Sequence, residues 1–151
     1  DTTTKNGDLS FASLAIAGDI VGCETMLFGA YTFSASALTH CELSPWPEGE
    51  PAGASESLLE SLALAQRRAA DVIALRGGQA SERVLGLIRL LGDGAGRVVL
   101  PTRQDIADIT DLRFETISRI IKGLERVGVL LPVKMEGVHA TRGYAVNLAA
   151  A

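Results

Sequence analysis

Between Phe114 and Gly128 the polar residues Glu115, Ser118, Arg119, Lys122 and Arg126 recur at helical spacing. Taking about 100° per residue with Glu115 at zero, Arg119 falls at about 40°, Arg126 at about 20°, Lys122 at about 340° and Ser118 at about 300°. Ile117, Ile120, Ile121, Leu124 and Val127 occupy roughly 120–240° on the same projection. The pattern predicts a two-sided helix whose apolar side packs and whose ridge carries a carboxylate, a hydroxyl and three cations. Water alone would satisfy such a ridge, and Glu115 with Arg119 makes an i,i+4 pair of the kind that supports exposed helices. The same set also suits the edges of base pairs. A guanidinium donates twice to guanine O6 and N7, a carboxylate accepts from cytosine N4, and a serine hydroxyl serves either base type.

Several elements are needed to hold that ridge in place. Thr102, followed three residues later by Asp105, resembles a capping box, and Ile106, Ala107 and Ile109 supply the apolar side of a short helix. That helix ends at Thr110-Asp111-Leu112. The next begins near Arg113 or Phe114 and runs to Val127, with Gly128 suited to terminate it, which is a helix-turn-helix layout. Beyond Gly128, alternating runs around Leu130–Met135 and Tyr144–Leu148 predict a β-hairpin, or wing, whose loop carries His139 and Arg142. His139 reads as a surface loop residue, because no second ligand stands at metal spacing. Val98-Val99-Leu100 reads as a short strand. Gly77-Gly78 breaks the chain upstream, and Ser81 is placed to cap a helix carrying Val84, Leu87, Ile88 and Leu91.

From Ser57 to Arg76, Leu58, Leu62, Ala65, Ala69 and Val72 step by 4, 3, 4 and 3 residues, with Leu59 and Ile73 widening the stripe to one side. This is a coiled-coil seam, expected to pair two copies of the helix in a homodimer. Packing of the same stripe within its own domain is the alternative. Residues 44–55, rich in Pro and Gly, read as a linker. From Leu9 to Leu43, Phe, Ala, Ile, Val, Thr and Tyr interrupted by Gly18, Gly22 and Gly29 predict short strands and tight turns.

Of the 151 residues, 47% are hydrophobic and 21% charged, the balance of a folded chain; no apolar run is long enough for a membrane span, and no signal-peptide layout opens the sequence. A cytoplasmic protein without membrane partners is expected. The net charge of −4 conceals an asymmetry: residues 1–96 carry 6 basic and 12 acidic side chains, residues 97–151 carry 8 and 6, so the two parts stand at −6 and +2. A mildly basic C-terminal third is compatible with phosphate contact. Cys23 and Cys41 make neither a CxxC pair nor a metal set and read as small buried hydrophobes. His40 beside Cys41 would point to the opposite face of a strand, so no thiol catalysis is expected.

The run Thr102 to Leu130, "TRQDIADITDLRFETISRIIKGLERVGVL", resembles the DNA-binding domain of the CRP/FNR superfamily of bacterial transcription regulators. "LAIAGDIVGCETMLFGAYTFSASALTHCEL" is similar to the later strands of that family's cyclic-nucleotide-binding-type β-roll, and the seam at 58–72 falls at its dimerisation helix. The resemblance implies an α+β chain lacking the first part of the β-roll: a partial β-roll sensor domain and linker over 1–54, a long dimerisation helix over 55–77, and a winged helix-turn-helix domain over 78–151. It implies a homodimeric DNA-binding regulator, not an enzyme, that meets RNA polymerase. "E-T-I-S-R" matches the FNR/FixK recognition pattern, implying base contacts by Glu115, Ser118 and Arg119 on palindromes resembling TTGAT-N4-ATCAA. Thr102, Arg103, Gln104, Arg113, Thr116 and Lys122 are then expected at the DNA backbone. Phe114 stands where the CRP branch has Arg; it either touches a thymine methyl or completes the packing edge. Two departures stand out: Asp111 replaces the usual turn Gly and is tolerable in a left-handed conformation at some cost, and Arg113 replaces the usual Ser/Thr cap. The family's phosphate-binding pairs are Gly22-Cys23 and Phe33-Ser34 here, so no cAMP binding is expected. Cys41 stands where oxygen-sensing members have an iron–sulfur ligand, which would require a longer form of the chain. No other cofactor or metal is expected. The alternative is a ligand- or redox-sensing dimeric module whose main partner is a protein.

Overall fold

A computed structural model describes residues 1–3, 9–45, 54–139 and 142–147; the side chains of 54–58, Leu58 of the expected seam among them, lie outside the described set. The chain forms two compact units, residues 1–37 with 41–73, and residues 38–40 with 74–151.

In the first unit β1 (Thr2–Thr3) pairs antiparallel with β2 (Leu9–Ser10), and α1 (Thr25–Phe28) is one short turn closed by Gly29 at φ 67°. Between residues 11 and 45 no strand forms among the described residues, so of the strands and tight turns expected over Leu9–Leu43 the turns at Gly18, Gly22 and Gly29 are present and β2 is the one strand. The physical reason is that an extended segment becomes a strand only when a neighbour completes its ladder. Gly18 and Gly22 also turn the chain at positive φ, and Leu27, Phe28, Tyr31 and Phe33 lie exposed instead of facing a second layer.

α2 (Ala54–Ala74) is the long helix of this unit. Arg68 fastens the 16–19 turn to one side of it: its Nε donates to Asp19 Oδ2 at 2.9 Å and its Nη1 meets Asp71 Oδ2 at 3.3 Å. Asp19 also accepts from the Ile16 N–H. Burial pushes the Asp19 carboxyl up, but these hydrogen bonds and the Arg68 charge outweigh it and hold the group below the usual carboxylate range. Of the expected seam, Leu62, Ala65 and Ala69 are exposed, whereas Val72 is buried within the chain. Leu59 and Ile73, both about 70% exposed, take its place. Leu59, Leu62, Ala69 and Ile73 thus form an open apolar stripe that keeps Leu62 and Ala69 of the expected seam and adds its two flanking residues.

The second unit contains α3 (Ala80–Leu91), β3 (Arg97–Val99), α4 (Arg103–Thr110), α5 (Phe114–Arg126), β4 (Leu130–Pro132) and β5 (Gly143–Val146). Ser81 does not cap α3: the cap lies two residues earlier at Gln79, extended at φ −72° and ψ 146°, with Glu82 Oε2 accepting from the Gln79 N–H at 3.2 Å. A three-residue reach by the longer Glu side chain closes the cap from inside the first turn. The sheet order is β3-β5-β4, both ladders antiparallel, with Val98 opposite Tyr144 and Leu130 opposite Val146. The expected hairpin is thus β4 and β5, and the expected strand after Gly96 joins the far edge of β5. Val84, Leu87 and Ile88 of α3, Ile106 and Ile109 of α4, Ile117 and Ile121 of α5, and Val98, Leu100, Val129 and Leu130 meet in one sealed core. Each such side chain contributes roughly 1.5–3 kcal/mol relative to exposure. That core fixes the rotation of α5 about its own axis.

Candidate nucleic-acid interface

α4 opens on the predicted capping box. Thr102 Oγ1 accepts from the Asp105 N–H at 3.2 Å, and the Thr102 N–H donates to Asp105 Oδ2 at 3.0 Å. Thr102 Oγ1 also donates to that oxygen at 2.6 Å. Its hydroxyl would have to exchange this bond to meet a phosphate. Gln104 spends its amide on Asp108 Oδ1 at 2.9 Å. Half-buried Arg103 reaches the Tyr144 hydroxyl at 3.4 Å, and that hydroxyl donates to Glu125 Oε1 at 2.8 Å. Burial raises the Tyr144 phenol, Arg103 works against it and Glu125 adds to it; the net shift is upward, so the hydroxyl stays a donor. The bridge ties β5 to both α4 and α5.

Between the helices Asp111 sits at φ 53° and ψ 47°, the one non-glycine residue at positive φ among those described. The turn takes the left-handed form at the cost expected of a non-glycine residue. A side-chain cap is missing from α5, as Arg113 in place of Ser/Thr implied, while the Arg113 carbonyl accepts from the Thr116 and Ile117 N–H groups at 2.9 and 3.1 Å.

α5 presents the ridge as its spacing foretold. Ile117 and Ile121 are 0% exposed, Ile120 and Leu124 half-buried, and Val127 already exposed, so the packed arc is narrower than the apolar pattern. Glu115, Arg119, Lys122 and Arg126 are exposed, and Ser118 is half-buried. No hydrogen bond or ion pair among the described residues occupies the side chains of Glu115, Ser118, Arg119 or Lys122. The expected Glu115–Arg119 pair is not formed, in keeping with the small gain such a pair offers in water. Phe114 begins the helix 47% exposed; Arg113 is exposed beside it and Thr116 half-buried.

Three arginines escaped the sequence reading. Arg142, noted there only as a loop residue, donates from Nε to the Leu100 carbonyl at 2.7 Å and from Nη2 to the Leu38 carbonyl at 2.5 Å, pinning the wing base. Arg76 and Arg83 donate to carbonyls at the end of α4. Each contact spans 27 residues or more of sequence, beyond the reach of any local pattern. Cys41 is exposed and Cys23 half-buried, both as free thiols, so neither is the buried hydrophobe expected.

The fold of the chain is shared with solved structures. The chain matches the crystal structure of TTHB099, a CRP-family transcriptional regulator from Thermus thermophilus, at a TM-score of 0.68 and 25% identity over 97% of this chain and 77% of that one. The chain is CRP/FNR-like. FixK2 from Bradyrhizobium japonicum is a more distant match in shape, with 30% identity, a TM-score of 0.47, and coverage of 64% of this chain and 48% of FixK2. No protein-family model and no curated relative matches the sequence. Among the described residues of this CRP/FNR-like chain, no helix is long and apolar enough to cross a membrane.

Proposed function

We propose that this CRP/FNR-like chain is a DNA-binding transcription regulator, with α4, the 111–113 turn and α5 as the helix-turn-helix and β4–β5 as its wing. One observation carries the reading: Ile117 and Ile121 are sealed while Glu115, Arg119 and Lys122 are exposed across the same helix with half-buried Ser118 at their flank, all four side chains without protein partners among the described residues. A major groove admits one α-helix, and this ridge is about one helix wide. In the finer reading, Arg119 donates to a guanine, Glu115 accepts from a cytosine and Ser118 adds a third base contact, on a palindrome resembling TTGAT-N4-ATCAA. Arg113 and Lys122 are the freest candidates for phosphate, with Thr116 beside them. Thr102, Arg103 and Gln104 would join only by exchanging their present bonds.

A palindrome requires two copies, and we assign their contact to the open stripe of α2, Leu59, Leu62, Ala69 and Ile73. Two recognition helices would then enter successive major grooves about 34 Å apart. A titration of the full chain on TTGAT-N4-ATCAA, TGTGA and scrambled duplexes at two salt concentrations tests the reading. Preference for the first duplex, with affinity falling steeply as salt rises, is expected because counterions leave the phosphates. Equal, salt-insensitive binding to all three would reject it in favour of a protein partner.

A further inference from the structure

The last turn of a helix leaves carbonyl groups without intrahelical donors, and in α4 every one of them can be accounted for. The Ala107 carbonyl accepts from the Asp111 N–H and, at 3.1 Å, from the Leu112 N–H. The Asp108 and Ile109 carbonyls accept from Arg76 Nη2 at 2.6 Å and Nε at 3.1 Å. The Thr110 carbonyl accepts from Arg83 Nη1 at 3.2 Å, while Arg83 Nε holds the Gly78 carbonyl at 3.1 Å. Two guanidinium groups thus serve three successive carbonyls from outside the helix, and their charge opposes the negative end of its dipole.

These arginines meet the turn where it is weakest. Immediately after Thr110 comes Asp111 in a left-handed conformation that a Cβ disfavours, and α5 then begins without a side-chain cap. Arg76 itself stands two residues past the end of α2, and its neighbour Leu75 is buried against Gly86, where an added Cβ would meet Leu75 Cδ2 at 2.9 Å. Residues 75 and 76 belong to the second unit and are held within it by one apolar and one charged side chain.

We infer that Arg76, assisted by Arg83, is a positioning residue for the recognition helix: it holds the α4 end against the strained 111 turn, so that the placement of α5 depends on the segment leaving α2. The DNA consequence rests on the function proposed above; the clamp itself does not. Hydrogen exchange of the full chain without DNA reads the clamp directly. Arg76→Ala should speed exchange of amides 108–116 about fivefold or more, and Arg76→Lys, which lacks the fork that spans two carbonyls, should restore little of it. Adding Asp111→Gly to Arg76→Ala should recover most of the protection, because the turn then needs no clamp. On DNA, Arg76→Ala should lower affinity for the preferred duplex about fivefold and leave scrambled duplex within about twofold, again with recovery by Asp111→Gly.

A merely structural role would make the two substitutions additive in both measurements. Additive effects, or exchange at 108–116 unchanged in Arg76→Ala, would overturn the inference. Should Arg76→Ala not fold, Arg76→Lys alone decides the matter, since wild-type exchange in that variant overturns the clamp. Coupled exchange in a chain that binds all duplexes alike would instead sustain the clamp and reject the proposed function.

Discussion

The two units draw on similar stocks of apolar residues and use them in opposite ways. In the second, Leu87, Ile88, Leu100, Ile106, Ile109, Ile117, Ile121 and Leu130 are all sealed. In the first, Leu14 and Val72 are buried while Met26, Leu27, Phe28, Tyr31, Phe33 and Leu43 are exposed. The difference lies in where the matching surfaces are found. α3, α4, α5 and the three-stranded sheet come from one stretch of chain and cover one another, whereas the extended segments of the first unit have no second layer within the described residues. A core therefore depends on complementary faces more than on hydrophobic content.

The largest test of that contrast is Ile121→Ala against Leu27→Ala. The first should cost about 2–5 kcal/mol of stability in denaturant unfolding of the second unit, the second no more than about 0.5 kcal/mol. Similar losses would mean that the exposed residues of the first unit are packed in solution. Next in size, Arg119→Ala should lose about 1–3 kcal/mol selectively on a guanine-containing half-site, while Lys122→Ala weakens all duplexes alike; a titration series with single-base changes separates the two. On α2, Ile73→Glu should raise the dimer dissociation constant about tenfold or more, equivalent to roughly 1.4 kcal/mol, as read by sedimentation. Val72→Glu in the same assay should chiefly destabilise its own protomer, and the reverse order would restore the original seam. The smallest expected effect concerns pH. Because folding lowers the Asp19 pKa, its contact with Arg68 adds stability above the unfolded value of about 4 and loses that contribution as pH falls through the lower folded value. Asp19→Asn should flatten the acid limb of α2 unfolding followed by circular dichroism.

What the sequence made legible follows the same division. The two-sided α5, the Thr102 cap, the left-handed Asp111 and the stop at Gly128 are all set by residues within a turn or two of each other. Val72 of the expected seam is buried, and which side of α2 the 16–19 turn covers is decided by Asp19 and Arg68, 49 residues apart. Over 11–43 β-type composition does not become strand, because composition says nothing about the availability of a partner. Arg76, Arg83 and Arg142 could not be found by pattern at all, since each donates to backbone carbonyls that any residue supplies.

The sheet order has a consequence for the birth of the molecule. β3 and β4 never bond to each other; both wait for β5, the last of the three to leave a ribosome. Until Val146 emerges, the three helices can rest on one another, but neither edge strand has a ladder to join. A chain cut before Gly143 should therefore lose both ladders at once and leave Val98 and Leu130 without their strand partner.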